Sequence, residues 1–261
     1  MPDLKMRAEV LFRSRSLAFT RDYFGEGQNR THAVYDWNGV PVHYRSGSSD
    51  TRLIYSILLR RGKKGEYSLP RECRIRVEDV RTVLDIGANA GISAVYFAAS
   101  FPHAEVHAFE PDPGNCELLR MNAAACGRIH VHPFALGPRD GEVALYGSDD
   151  AANFGGFSSQ ALGVNPARSK KVPMRHAGRC LAELGIRSID LLKIDTEGAE
   201  WDILTALEPA LLGQTRVIMG ELHGIRDFAL LDYLQPMFDI GMKKQIRNRL
   251  FNFYALRRTS A

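Results

Sequence analysis

The sequence predicts an α/β fold: a doubly wound, mostly parallel sheet closed by a C-terminal antiparallel hairpin. Three observations carry that reading. From residue 81 onward, short apolar runs of strand length alternate with helix-length amphipathic segments, the signature of βαβ units. The first run ends in a glycine-bearing turn, Gly87-Ala88-Asn89-Ala90-Gly91, which opens a helix. The last two apolar runs, 242–246 and 251–256, leave no room for a crossover helix between them, so they must pair antiparallel.

Residues 1–80 are expected to form an irregular lead-in on the acceptor side. It carries apolar patches at 10–12 and 17–19, a strand-like stretch over 37–44, a polar turn at 46–50 and a helix over 51–59. Residues 81–261 are expected to form the nucleotide-binding domain. Its first strand is 83–86, followed by a helix over 91–101 rich in alanine and aromatics. The second strand, 104–109, ends at Glu110-Pro111. A helix over 115–126 places Leu118, Leu119 and Ala123 on one face, and a third strand runs over 129–136. A loop-rich stretch, 137–178, contains strands at 143–146 and 171–174. Then come a strand at 189–194, a helix over 199–212, a strand at 216–219, a helix over 227–238 and the final hairpin.

The chain has 261 residues, 45% hydrophobic and 25% charged, which excludes disordered, collagen-like and disulfide-scaffold classes. Its net charge of +4 permits an anionic partner without requiring one. The four cysteines form no CxxC pair and no zinc spacing, and fit reduced thiols. No apolar run approaches the roughly 18 residues of a membrane span, and the N-terminus lacks a signal-peptide core, so a cytoplasmic location is expected. Basic clusters at 60–64 and 243–258 read as solvated faces, so no nucleic-acid partner is expected.

The glycine turn does not fit a dehydrogenase fingerprint, because Asn89 stands where the second glycine belongs. Asp85 at the strand end would repel a pyrophosphate and favour a cationic or zwitterionic ligand. Glu110 can accept hydrogen bonds from two ribose hydroxyls, or can cap the turn before Pro111. At the far end, Lys193 and Asp195 lie in phase, so a Lys–Asp pair would keep Asp195 ionised. Glu197 and Glu200 sit where acids cap a helix. Glu221 and His223 share a strand face and form either a general-base pair beside Asp195 or a structural one. The loop 147–170, with Asn153, Phe154, Phe157 and Ser158, reads as either a lid or a plain surface loop. Asp50 and Tyr67 are candidates for the remaining acceptor wall.

The segments Val83-Leu84-Asp85-Ile86-Gly87-Ala88-Asn89-Ala90-Gly91, Phe109-Glu110-Pro111-Asp112-Pro113-Gly114-Asn115 with Asn122, and Ala135-Leu136-Gly137 carry a resemblance. So do Lys193-Ile194-Asp195-Thr196-Glu197-Gly198-Ala199-Glu200 and Glu221-Leu222-His223. Over roughly 45–256 the chain resembles the FkbM family of class I S-adenosylmethionine-dependent methyltransferases. The resemblance implies a seven-stranded Rossmann-like sheet. It implies S-adenosylmethionine as cofactor, with Asp85, Gly87, Asn89 and Gly91 around the methionine moiety, Glu110 on the ribose, and Phe134 and Ala135 near the adenine. It implies methyl transfer to a hydroxyl of a sugar or polyketide, with Asp195, Glu221, His223 and Lys193 as catalytic candidates. In one alternative Asp195 and Glu221 hold a divalent ion such as Mg2+. Two other function classes stay open: a non-catalytic nucleoside-binding protein and a nicotinamide-dependent oxidoreductase.

Overall fold

The computed structural model describes residues 4–25, 31–60, 65–148, 164–222, 225–247 and 250–258. Helices α1 (Leu4–Ser14) and α2 (Leu17–Phe24) open the chain, where the sequence showed only apolar patches. Ser16 caps α2 by accepting from the Phe19 amide at 3.1 Å. Strands β1 (His32–Trp37) and β2 (Val40–Arg45) form an antiparallel hairpin turned at Asn38 and Gly39, both with positive φ. The expected strand over 37–44 therefore straddles a turn. The expected helix over 51–59 is a short α3 (Asp50–Leu53) running into a π-helical turn, Ile54–Leu59.

The central domain follows as β3 (Thr82–Ile86), α4 (Ile92–Ser100), β4 (Glu105–Phe109), α5 (Pro113–Ala124) and β5 (Ile129–His132). Next come β6 (Ala135–Gly137), β7 (Gly141–Ser148), β8 (Val164–His176), α6 (Ala177–Glu183) and β9 (Leu191–Ile194). The chain finishes with α7 (Glu200–Thr205), α8 (Pro209–Gln214), β10 (Val217–Leu222), α9 (Ile225–Leu234), β11 (Phe238–Arg247) and β12 (Leu250–Arg257).

The main sheet has seven strands in the order β11-β12-β10-β9-β3-β4-β5. It is parallel except for β12, which pairs antiparallel with both β10 and β11, as the short connection required. The central strands β9 and β10 are buried along their whole length, which is why they read as unbroken apolar runs. The order reverses at β3 and β9, so the crevice above their carboxyl ends is the expected ligand position.

Two expected elements are split, each by a proline. The third strand stops at His132, because Pro133 has no amide to continue the ladder. Ala135–Gly137 then joins a separate three-stranded sheet with β7 and β8. The helix expected over 199–212 breaks before Pro209, whose ring holds Glu208 in an extended conformation (ψ 127°).

Residues of the lead-in share one apolar core with the sheet: Phe19, Tyr44 and Ile54 cluster with Val83, Phe97 and Leu119. Asn122, fully buried on α5, locks this junction. Its side chain accepts from the His43 amide at 2.7 Å and donates to the carbonyls of His43 (3.0 Å) and Ala90 (2.7 Å). A single amide thus ties α5, the β1–β2 hairpin and the glycine turn together.

Candidate active site

A cavity of about 300 Å³ opens at the carboxyl ends of β3, β4, β9 and β10. On its nucleotide side, Gly87 turns the chain at φ +79°, and the amides of Gly87 and Ala88 both donate to the Phe109 carbonyl at 3.0 Å. A Cβ on Gly87 would stand 1.9 Å from the Asp195 carbonyl oxygen, so glycine is obligatory there. Gly91 (φ +85°) is needed for a different contact: Leu119 of α5 packs onto it, and it does not face the cavity. Asn89, at φ +52°, donates its amide to Glu110 Oε2 at 2.8 Å. Asparagine tolerates this left-handed conformation better than most residues.

Glu110 is held from three directions. Oε1 accepts from the Asp112 amide (2.8 Å) and Asn115 Nδ2 (3.3 Å), and Oε2 accepts from Asn89. Burial raises its pKa, and these donors oppose the shift without cancelling it. A carboxylate offers about four acceptor positions, so about one is left, on Oε2. The expectation of two ribose hydrogen bonds is thereby reduced to one. Phe134 and Ala135 line the same side, with the Arg175 guanidinium 5.2 Å from the Phe134 ring centre.

Asp85 is not where the sequence reading put it. It is fully buried and lies outside the cavity lining. Oδ2 accepts from Ser93 Oγ at 2.6 Å, and Oδ1 lies 3.1 Å from Lys193 Nζ. The expected Lys193–Asp195 pair is thus replaced by a Lys193–Asp85 pair across adjacent strands, in which Asp85 and Lys193 are register partners. Lys193 Nζ also donates to the Gly87 carbonyl at 2.7 Å, fixing the glycine turn from below. Burial alone would lower the Lys193 pKa, but the carboxylates of Asp85 and Asp195 more than offset it and the net shift is upward.

The acceptor side gathers Glu66, Tyr67, Asp195 and Glu221 on one wall. The Tyr67 hydroxyl donates to Asp195 Oδ2 at 3.1 Å. Burial, then the surrounding carboxylates of Asp195, Glu66 and Glu221, push the Tyr67 pKa well up, so it is a neutral donor. Glu66 is also pushed up, by burial first and then by Glu221 and Asp195. Glu221 Oε1 accepts from Asn252 Nδ2 at 2.8 Å across the β10–β12 pair. Glu200 does not cap its own helix. It reaches back to accept from the Thr196 amide (2.8 Å), Thr196 Oγ1 (3.1 Å) and the Gly198 amide (2.9 Å), stapling the turn that carries Glu197 at φ +56°.

Tyr67 therefore joins the wall, whereas Asp50 is buried away from it, bound by both arms of Arg45. The place of Glu66 against residues of β9 and β10 has no local signal in the sequence. His223 and the loop residues 153–159 lie outside the described residues, as do Arg61, Lys63 and Lys64. Among the described residues no group of three His, Cys, Asp or Glu is placed to hold a metal ion.

The family model described as the methyltransferase FkbM domain matches residues 85–251, which takes in the glycine turn, Glu110, Asp195 and Glu221. The chain belongs to the FkbM methyltransferase family. It is 30% identical over 172 residues to the 31-O-demethyl-FK506 methyltransferase FkbM of Streptomyces tacrolimicus, covering 55% of this chain and 65% of that one. It is 29% identical over 151 residues to the 2-O-methyltransferase NoeI of Sinorhizobium fredii, covering 53% of this chain and 62% of that one. The AMB antimetabolite synthetase AmbE of Pseudomonas aeruginosa is 29% identical over 223 residues, 67% of this chain but 10% of that much longer protein. The chain thus spans less than two thirds of each of these relatives. A solved FkbM methyltransferase from Methylobacillus flagellatus shares the fold, with a TM-score of 0.51 at 16% identity, covering 95% of this chain and 60% of that one. Among the described residues no helix is long and apolar enough to cross a membrane.

Proposed function

We propose that the protein transfers a methyl group from S-adenosylmethionine to a hydroxyl oxygen of a small-molecule acceptor, a sugar or a polyketide alcohol. The observation that carries this reading is the two-sided cavity. The Gly87–Asn89–Glu110 cradle lies on one side, and the Tyr67–Asp195 pair with Glu221 lies on the other. Membership of the FkbM family supports the methyl donor, and two relatives carry oxygen methylation in their names.

The residues fit the donor. Glu110 keeps one acceptor position for a ribose hydroxyl, the Gly87–Asn89 backbone is open beside it, and Phe134 with Ala135 offers an apolar wall for a base. When bound, S-adenosylmethionine supplies an electrophilic methyl carbon on a sulfonium. Asp195 is the group placed to take the acceptor's hydroxyl proton. It is half-buried, lines the cavity and is oriented by the Tyr67 hydroxyl. The Asp195 carboxylate would accept the proton that the acceptor hydroxyl gives up during methyl transfer. Such base help contributes on the order of 10²–10⁴-fold. Lys193, which lines the cavity, and Asp85, buried behind it, act as positioning residues that hold the glycine turn. The carboxylates on the acceptor wall disfavour an anion at the reacting centre and suit a neutral polyol.

Calorimetric titration tests the donor: binding of S-adenosylmethionine and S-adenosylhomocysteine is expected, with none for NAD. Asp195→Asn should then reduce turnover by at least about 10²-fold while leaving donor affinity within a few-fold. Absence of donor binding would overturn the reading, and unchanged turnover would overturn the role of Asp195.

A further inference from the structure

A second cavity, about 700 Å³, lies behind the acceptor wall. The two are separated by a single layer of chain. Ile57 lines both, and along the 65–68 segment Glu66 and Tyr67 face the central cavity while Gly65 and Ser68 face the outer one. Their charges are opposite. The central wall carries Glu66, Asp195 and Glu221, whereas the outer cavity is lined by Arg13, Arg15 and Arg60 against one acid, Asp36.

The arginines are differently prepared. Arg13 is fixed, with Nε on Glu9 at 2.8 Å and a second nitrogen donating to the Leu59 carbonyl at 3.3 Å. The guanidiniums of Arg15 and Arg60 form no hydrogen bond or ion pair within the described residues. Arg15 also sits at φ +52° in the link between α1 and α2. A long side chain is disfavoured in that conformation, which glycine or asparagine adopts more readily. Backbone conformations of this kind cluster at active sites and ligand clamps. Trp37 and Tyr96 add aromatic surface to the same cavity, half-exposed in both cases.

Free guanidiniums beside aromatic faces match a ligand with an oxyanion on a polar ring: arginine pairs with a carboxylate or phosphate through two parallel hydrogen bonds, and the rings receive the sugar's C–H face. We propose that this cavity binds an acidic saccharide, a sugar carboxylate or sugar phosphate, through Arg15 and Arg60 with Trp37 as the stacking ring. The site is independent of the methyl-transfer reading, since its ligand is measured without a methyl donor.

The test is calorimetric titration of the full chain with glucuronate, glucose 6-phosphate, glucose and inorganic phosphate, repeated on a Trp201→Phe background so that the fluorescence followed is that of Trp37. The two acidic sugars should bind and quench. Glucose and inorganic phosphate should each bind at least about tenfold more weakly. Arg15→Gln/Arg60→Gln, which removes no side-chain hydrogen bond among the described residues, should weaken acidic-sugar binding at least about tenfold at unchanged Tm. Trp37→Phe should abolish the quench. No binding up to about 10 mM, equal binding of glucose or of phosphate alone, or affinity untouched by the arginine substitutions would each overturn the proposal.

Discussion

Lys193→Met is the sharpest perturbation of the site's foundations. The Lys193 and Asp85 side chains are 3% and 0% exposed, with 3.1 Å between ammonium and carboxylate. Methionine fills much of the lysine stem's volume but leaves Asp85 charged, buried and held only by the Ser93 hydroxyl. Removing one member of a buried pair costs about 3–5 kcal/mol, because the survivor is stranded in a medium that solvates it poorly. A domain this size is stable by about 5–15 kcal/mol, so the loss is a large part of the whole. Adding Asp85→Asn removes the stranded charge and keeps an acceptor for Ser93. The double variant should therefore recover at least about 1 kcal/mol over Lys193→Met alone. Equilibrium unfolding in guanidinium chloride reads both values from the midpoint and slope. A Lys193→Met cost below about 1 kcal/mol, or a double variant no more stable than the single one, would refute the argument that this pair carries the strand junction.

Three further outcomes follow from the same structure. Gly87→Ala should destabilise more than Gly91→Ala in the same unfolding assay. The first Cβ meets the Asp195 backbone oxygen at 1.9 Å, while the second meets the movable end of Leu119 at 2.5 Å. Burial holds the Glu66 pKa above 4.5 in the folded protein, so its stabilising share is present below that pH and is lost as pH rises through the folded value. The Tm difference between Glu66→Gln and the parent should accordingly grow in the variant's favour from pH 4.5 upward. His132 behaves in the opposite sense: burial, with His107, His130 and Arg175 nearby, lowers it from 6.5 to about 4. Its share is present above 6.5 and lost as pH falls towards 4, and a Tm–pH curve of His132→Gln should be flatter over that window.

Much of the fold was legible because the central strands are buried on both faces and the connections are short. Burial wrote β3, β9 and β10 as apolar runs, and glycine and proline marked the turns at Gly87 and Pro111. The lead-in was less legible. Its two helices expose large residues such as Leu4, Phe12 and Leu17, so their periodicity is blurred, and the β1–β2 turn was read as part of a strand. At the site, Glu110 and Asp195 could be placed from their strand ends alone, and both line the cavity.

What the sequence determined by itself was the succession of main-sheet strands from residue 81 onward and which of their ends carry polar groups, since these follow from local periodicity and turn chemistry. What only the tertiary structure decided was pairing. Sequence phase offers Lys193 to Asp195, two positions along the same strand, but strand register gives the ammonium to Asp85. Asp195 receives Tyr67 instead, across 128 positions of chain. Charge and hydrogen-bond partnership depend on distances of about 3 Å, and such distances between remote segments are set by how the sheet packs, not by residue spacing.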